Sequence, residues 1–249
     1  MNFFVRKIAL VVPVIGFIGF NSCSDSSPTL PQTCKDVQDQ AVEDTGERPA
    51  NGTYTLYIEG DEIKPWDVYC HNMNLSEPVE YLTVDEDSNF SEISSGSEVI
   101  VTYYRRYRID PESLEIDPLD DIFATTEGTS DFMPDDRSHI PAGWAQFMSP
   151  SSDDGPAATS SIDLDGTAFV FSEEVLDDDF FCTVTTGGSE DGSSVTIEAD
   201  LTKVELTAIN NTADEQTKTV GNCTKLSVLD NPGTDDFTSA AYPLQYVGN

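Results

Sequence analysis

Two histidines, five cysteines, 46 acidic residues and three arginines within Tyr103–Arg108 hold most of the reactive chemistry open to this 249-residue chain. A zinc hydrolase of the H-E-x-x-H type needs two imidazoles one helical turn apart with a carboxylate between them. His71 and His139 are in no such motif and read as structural or surface histidines. There is no G-x-S-x-G, and the cysteines are better used as disulfides than as nucleophiles. Paired carboxylates can hydrolyse glycosides, but with 46 acids such pairs arise from composition and none stands out. The chain does not read as an enzyme; a hydrolase using carboxylates alone is the alternative from that class.

Calcium is the more serious chemistry. Asp163-Leu164-Asp165-Gly166 looks like half of an EF-hand loop, and Glu174 falls at the twelfth position counted from Asp163. The glycine, however, stands two places before the position at which such a loop turns. Asp163 and Asp165 are therefore calcium candidates beside a plainer reading, a turn at a strand end. Further acidic clusters occur at Asp85–Asp87, Asp117–Asp121 and Asp177–Asp179. No zinc motif is present, and no cofactor other than calcium is expected.

The run Tyr103-Tyr104-Arg105-Arg106-Tyr107-Arg108 interrupts the acidity. Strand geometry puts Arg106 and Arg108 on one face, and Arg105 with Tyr103 and Tyr107 on the other. These side chains could contact an acidic or glycan ligand by stacking and bidentate hydrogen bonds. They could equally pair with the chain's own carboxylates.

The elements that must position these groups begin after an export signal. Arg6 and Lys7 precede Ile8–Phe20, a run without polar side chains too short to span a membrane, so residues 1–22 read as a signal peptide. Ser22-Cys23 at its end resembles the lipobox of bacterial lipoproteins, which implies lipidation of Cys23 and anchoring at the cell envelope, with an outer-membrane location expected. Residues 23–33 form a polar tether. The other four cysteines, Cys34, Cys70, Cys182 and Cys223, suit two disulfides in an exported chain, and proximity favours Cys34–Cys70 and Cys182–Cys223. No C-x₂₋₄-C pairs exist for a zinc site.

The formal charge of −34 makes nucleic acid an improbable partner. Hydrophobic residues at 38% and aromatics at 10% exclude a disordered acidic tail. Cys34–Asp44 reads as a short polar helix. Residues 53–70 read as a hairpin, with Tyr54, Leu56 and Ile58 alternating on one arm and Trp66, Val68 and Cys70 on the other. Further strands are expected at 81–84, 99–109, 114–116, 161–172, 179–186, 194–209 and 218–228. Val195, Ile197, Ala199 and Leu201 share one side, with a break near Lys203. The expected fold is mainly β, antiparallel and sandwich-like, with few short helices and disulfide stabilisation. The β domain spans 34–230, with two subdomains divided near 145–160 as an option, and 231–249 is a C-terminal extension.

Several ordered segments resemble a known module: Gly52-Thr-Tyr-Thr-Leu-Tyr57, Lys64-Pro-Trp-Asp-Val-Tyr-Cys-His-Asn-Met73, Glu80-Tyr-Leu82, Asn89-Phe-Ser91, Arg108–Asp117, Asp121-Ile-Phe123 and Ile162–Phe169. Over residues 34–172 they look like a GON domain, found at the C-terminus of some ADAMTS-type secreted metalloproteases. The start, Cys34–Met73, is also similar to fibrinogen-like domains. The resemblance fades after Pro141. It implies an extracellular, non-catalytic interaction module with an unidentified protein or glycan partner, tied to metallopeptidases by association only. A calcium-dependent adhesin or glycan-binding module is the alternative.

Overall fold

The computed structural model describes residues 29–95, 98–128, 138–143, 145–147, 157–176, 181–186, 194–209, 217–222 and 241–248. Residues 1–22, expected to be a signal peptide, Cys23 and Cys223 lie outside the described residues.

Helix α1 (Cys34–Thr45) forms where expected because both ends are chemically marked. The Thr33 hydroxyl accepts from Asp36 N–H (3.0 Å), and the Asp36 carboxylate accepts from Thr33 N–H (2.9 Å), a reciprocal cap. Gly46, at φ 77°, closes the other end in the left-handed region. A polar helix of this length is marginal by itself. It is held by the Cys34–Cys70 disulfide and by the Gln38 amide, which donates to the carbonyls of Met73 and Leu75 (2.7 Å each).

Among the described residues sixteen strands follow: β1 (Gly52–Tyr57), β2 (Pro65–His71), β3 (Val79–Thr83), β4 (Phe90–Ser95), β5 (Glu98–Tyr104), β6 (Arg106–Asp110), β7 (Glu115–Asp117), β8 (Ala124–Gly128), β9 (Ala145–Phe147), β10 (Ala157–Asp163), β11 (Phe169–Phe171), β12 (Phe181–Thr186), β13 (Ser194–Ala199), β14 (Lys203–Ile209), β15 (Thr217–Asn222) and β16 (Tyr242–Tyr246). One sheet has seven strands in the order β1-β2-β3-β6-β7-β16-β11, a second has six in the order β13-β14-β10-β4-β5-β8, and β12-β15-β9 make a third. All pairings are antiparallel, β1 and β2 forming the expected hairpin with Gly52 opposite Cys70. The protein is mainly β, and the two larger sheets share one core containing Trp66, Tyr107, Phe169 and Tyr242 from one and Ile93, Ile100, Ile162 and Leu206 from the other.

Two expected strands are each two strands in different sheets. Residues 99–109 divide at Arg105, with β5 in the six-stranded sheet and β6 in the seven-stranded one. Tyr104 and Tyr107 are both buried, and inward residues three apart break a two-residue period, so the chain must bend between them. The expected grouping of Arg105 with Tyr103 and Tyr107 on one face fails for the same reason. Residues 161–172 likewise divide into β10 and β11, across a turn at Asp163–Gly166.

Residues 145–160 do not separate two cores. They contain β9 and the start of β10, and β10 lies between β4 and β14, so chain from both sides of the segment shares one sheet. Within the expected extension 231–249, the described residues 241–248 belong to the domain, because β16 lies between β7 and β11 and buries Tyr242. The break near Lys203 is real: Asp200 Oδ1 accepts from Thr202 and Lys203 N–H (2.8 Å each) and turns β13 into β14. Leu201 sits exposed in that turn instead of continuing the apolar side.

Candidate functional site

Alternation in β2 sends Trp66, Val68 and Cys70 into the core and therefore turns Tyr69 and His71 to the outer face of the seven-stranded sheet. The register sets Tyr69 opposite Tyr81 on β3, Tyr81 opposite Arg108 on β6, and Arg106 opposite Thr83. The loop between β7 and β8 lays Phe123 over this face. Its ring stands nearly perpendicular to those of Tyr81, His71 and Tyr69, at 4.7, 5.3 and 5.5 Å between centroids. The guanidinium carbon of Arg106 lies 3.9 Å from the Tyr69 ring centre and 4.8 Å from that of Phe123, a cation–π arrangement against two rings.

The neighbouring arginines are placed differently. Arg105, exposed at the bend, has its Nε 3.8 Å from Glu86. Arg108 lies 4.0 Å from Asp120, whose other oxygen accepts from Ile122 N–H (3.3 Å). The Tyr81 hydroxyl donates to Asp120 (3.1 Å). Burial pushes the Asp120 carboxyl above its usual range, while the Ile122 N–H, the Tyr81 hydroxyl and Arg108 pull it back. Burial and the Asp120 charge push the Tyr81 hydroxyl up, so Tyr81 keeps its proton as the donor. Among the described residues, Arg106 has no carboxylate at ion-pair distance, and its buried Nε has no hydrogen-bond partner.

The other expected site residues lie apart. Tyr107 is wholly buried with its hydroxyl donating to Asn89 (3.0 Å), which removes it from any surface contact. Tyr103 is half-buried on β5, in the other sheet. The Asp163 carboxylate accepts from Asp165 N–H (2.9 Å), while the Asp163 backbone bonds to the Asn89 amide, so both aspartates shape a turn. Among the described residues no three His, Cys, Asp or Glu side chains are grouped to hold a metal ion. The expected pairing of Cys182 with Cys223 falls partly outside the described residues, since Cys223 is not among them. His71 lies among rings on one sheet, and His139 bonds Thr126 (2.8 Å) beside the other. No helix among the described residues is long and apolar enough to cross a membrane.

A groove of about 840 Å³ runs from the start of α1 along β3, β6 and β7, lined in part by Lys35, Asp36, Glu80, Arg108 and Asp110. Its carboxylates hold backbone: Glu80 accepts from Cys34 N–H (2.6 Å), and Asp110 from Glu112 and Ser113 N–H (2.8 and 3.2 Å). Burial raises the Glu80 carboxyl above its ordinary range, opposed by the Cys34 N–H.

Of the ring cluster, sequence reading singled out Arg106 and Arg108, and Asp120 within an acidic cluster, but gave no site role to Tyr69, Tyr81 or Phe123. Tyr69 was findable, since it alternates with the core residues of β2. Phe123 sits in a loop whose path no periodicity reveals.

Comparison with known proteins bears on this face. The family model for the GON domain matches residues 31–98. Across 64 residues the chain is 36% identical to the Caenorhabditis elegans protein "A disintegrin and metalloproteinase with thrombospondin motifs gon-1", covering 26% of this chain and 3% of that protein. No solved structure gives a significant match. The GON domain is a non-catalytic module of such proteases. The matched segment supplies α1 and β1–β4, hence Tyr69, His71 and Tyr81, whereas Arg106 and Phe123 lie beyond it.

Proposed function

We propose that this chain is a non-catalytic interaction module, exported and held at the cell envelope by lipid on Cys23, which binds an extracellular protein or glycan through the outer face of its seven-stranded sheet. The observation supporting this reading is that the GON-matched segment turns Tyr69 and His71 away from the core, where Phe123 and Arg106 join them. A half-exposed cluster of rings with a cation is the composition that partner-binding surfaces favour.

A glycan array and a pull-down from native envelope, run with wild type and with Tyr69→Ala/Phe123→Ala, test it. Wild type should capture a ligand that the variant loses. Capture unchanged in the variant would move the binding surface elsewhere. Running both assays with EDTA and with millimolar Ca²⁺ separates a calcium-dependent adhesin from this module. Mass spectrometry of the mature N-terminus tests the anchor, which requires an acylated Cys23.

A further inference from the structure

We infer that Arg106 anchors a carboxylate on a glycan ligand, a single uronic acid residue, whose sugar ring packs against the aromatic cluster. The inference rests on reading this sheet face as the binding surface, and names the chemistry it selects.

In a chain with 46 acidic and 12 basic residues, an arginine at the surface would be expected to find a carboxylate. Arg105 and Arg108 do so, through Glu86 and Asp120. Arg106, between them, does not, among the described residues. Asp67, outward on the same sheet, accepts from the Thr55 hydroxyl (3.1 Å) and forms no ion pair with Arg106. The flanking arginines thus offset two nearby acids and leave the field of Arg106 open to an incoming anion.

Ring contact also prepares the group. The guanidinium carbon lies 3.9 Å from the Tyr69 ring centre and 4.8 Å from that of Phe123, two rings nearly perpendicular to each other, and cation–π contact leaves N–H groups for hydrogen bonds. The buried Nε is covered, so the outward edge carrying both Nη atoms is the one that can meet a carboxylate bidentately. Little side-chain freedom remains to be lost on binding. His71 and Phe123, half-buried beside it, offer ring surface to the C–H face of a pyranose.

The net charge selects the ligand's size. A polyanion would meet repulsion from the whole surface, whereas one carboxylate is screened from distant acids beyond about 8 Å at physiological salt. A lone uronic acid in an otherwise neutral glycan satisfies both conditions.

The test titrates the protein calorimetrically with a glucuronic-acid-terminated disaccharide and with its methyl ester, which has the same shape without the charge. The acid should bind wild type about tenfold or more tightly than the ester, a difference of about 1.4 kcal/mol. Arg106→Gln should abolish that preference and Arg106→Lys should weaken it, while Arg105→Ala should keep it. Melting curves check that each variant is folded, and the acid–ester comparison on wild type needs no variant. Equal binding of acid and ester, or no binding of the acid, overturns the inference. If that occurs while Tyr69→Ala/Phe123→Ala still abolishes capture in the array or pull-down, the surface stands and only its anion anchor falls.

Discussion

The two larger sheets fill the space between them by different means. The seven-stranded sheet presents rings and aliphatic chains inward: Trp66, Val68, Tyr107, Ile109, Ile116, Phe169, Phe171 and Tyr242. Trp66 meets Phe169 edge-on at 5.1 Å between centroids. The six-stranded sheet interleaves Ile93, Ile100, Ile162 and Leu206 with the buried hydroxyls of Ser91, Thr102 and Ser160. Those hydroxyls hold a piece of backbone. Thr102 accepts from Ile140 N–H (2.9 Å), Ser91 donates to the Pro141 carbonyl (2.8 Å), and the Tyr104 hydroxyl donates to the Ile140 carbonyl. Apolar filling is non-directional and tolerates shape changes in proportion to area, whereas hydroxyl filling depends on each bond being made. The ring-filled sheet is also the one whose outer face carries the aromatic cluster.

The contrast can be broken hardest at its apolar end. Trp66→Ala should cost about 3–5 kcal/mol by urea denaturation. Trp66→Phe should cost much less, because the indole N–H has no hydrogen-bond partner to lose among the described residues. Replacing both Cys34 and Cys70 by alanine removes a cross-link across a sequence separation of 36 residues. It should cost about 3–4 kcal/mol in the same assay, freeing α1 from β2.

Where the two fillings meet, a Cβ on Gly143 would lie 2.0 Å from the Tyr242 hydroxyl oxygen, at a backbone φ of +65°. Gly143→Ala should therefore cost about 2–3 kcal/mol from overpacking and strain. On the hydroxyl side, Thr102→Val keeps the shape but leaves the Ile140 N–H without its acceptor. A loss of about 1–3 kcal/mol is expected. A value near zero would show that the inserted backbone is held by packing alone.

The smallest effect depends on pH. Glu80 is buried and its carboxyl is raised above the ordinary 4.5, so the folded state disfavours its ionised form. Wild-type stability should gain from this group as pH falls through the raised value, and the gain should be complete below the ordinary one. Glu80→Gln keeps an acceptor for Cys34 N–H and should be more stable than wild type at neutral pH. Melting curves should show that advantage fading as pH falls through the raised value.

Much of this organisation was legible before the structure. The polar helix was read at Cys34–Asp44, the first hairpin from period-two alternation, and the Cys34–Cys70 pair was favoured by proximity among four cysteines. The turn at Asp163–Gly166 was legible as a strand-end turn. The bend at Arg105 was less visible: it lies in a run rich in strand formers, and an inward spacing of three residues means a bend only once both flanking residues are known to be buried. The ring cluster was half legible: Arg106 was singled out, but the rings it meets come from β2 and from a loop distant in sequence.

The sequence by itself determined the class of fold and the acidity that limits which ligands can approach, and it favoured, without fixing, the link between helix and hairpin. These follow from local periodicity, composition and residue type, which need no knowledge of distant neighbours. Only the tertiary structure decided that β16 completes the seven-stranded sheet and that residues 138–143 fill the other sheet's inner face. It also decided that Arg106, alone of three adjacent arginines, faces rings instead of carboxylates among the described residues. Those outcomes depend on contacts between residues far apart in the chain, which strand pairing and burial select together.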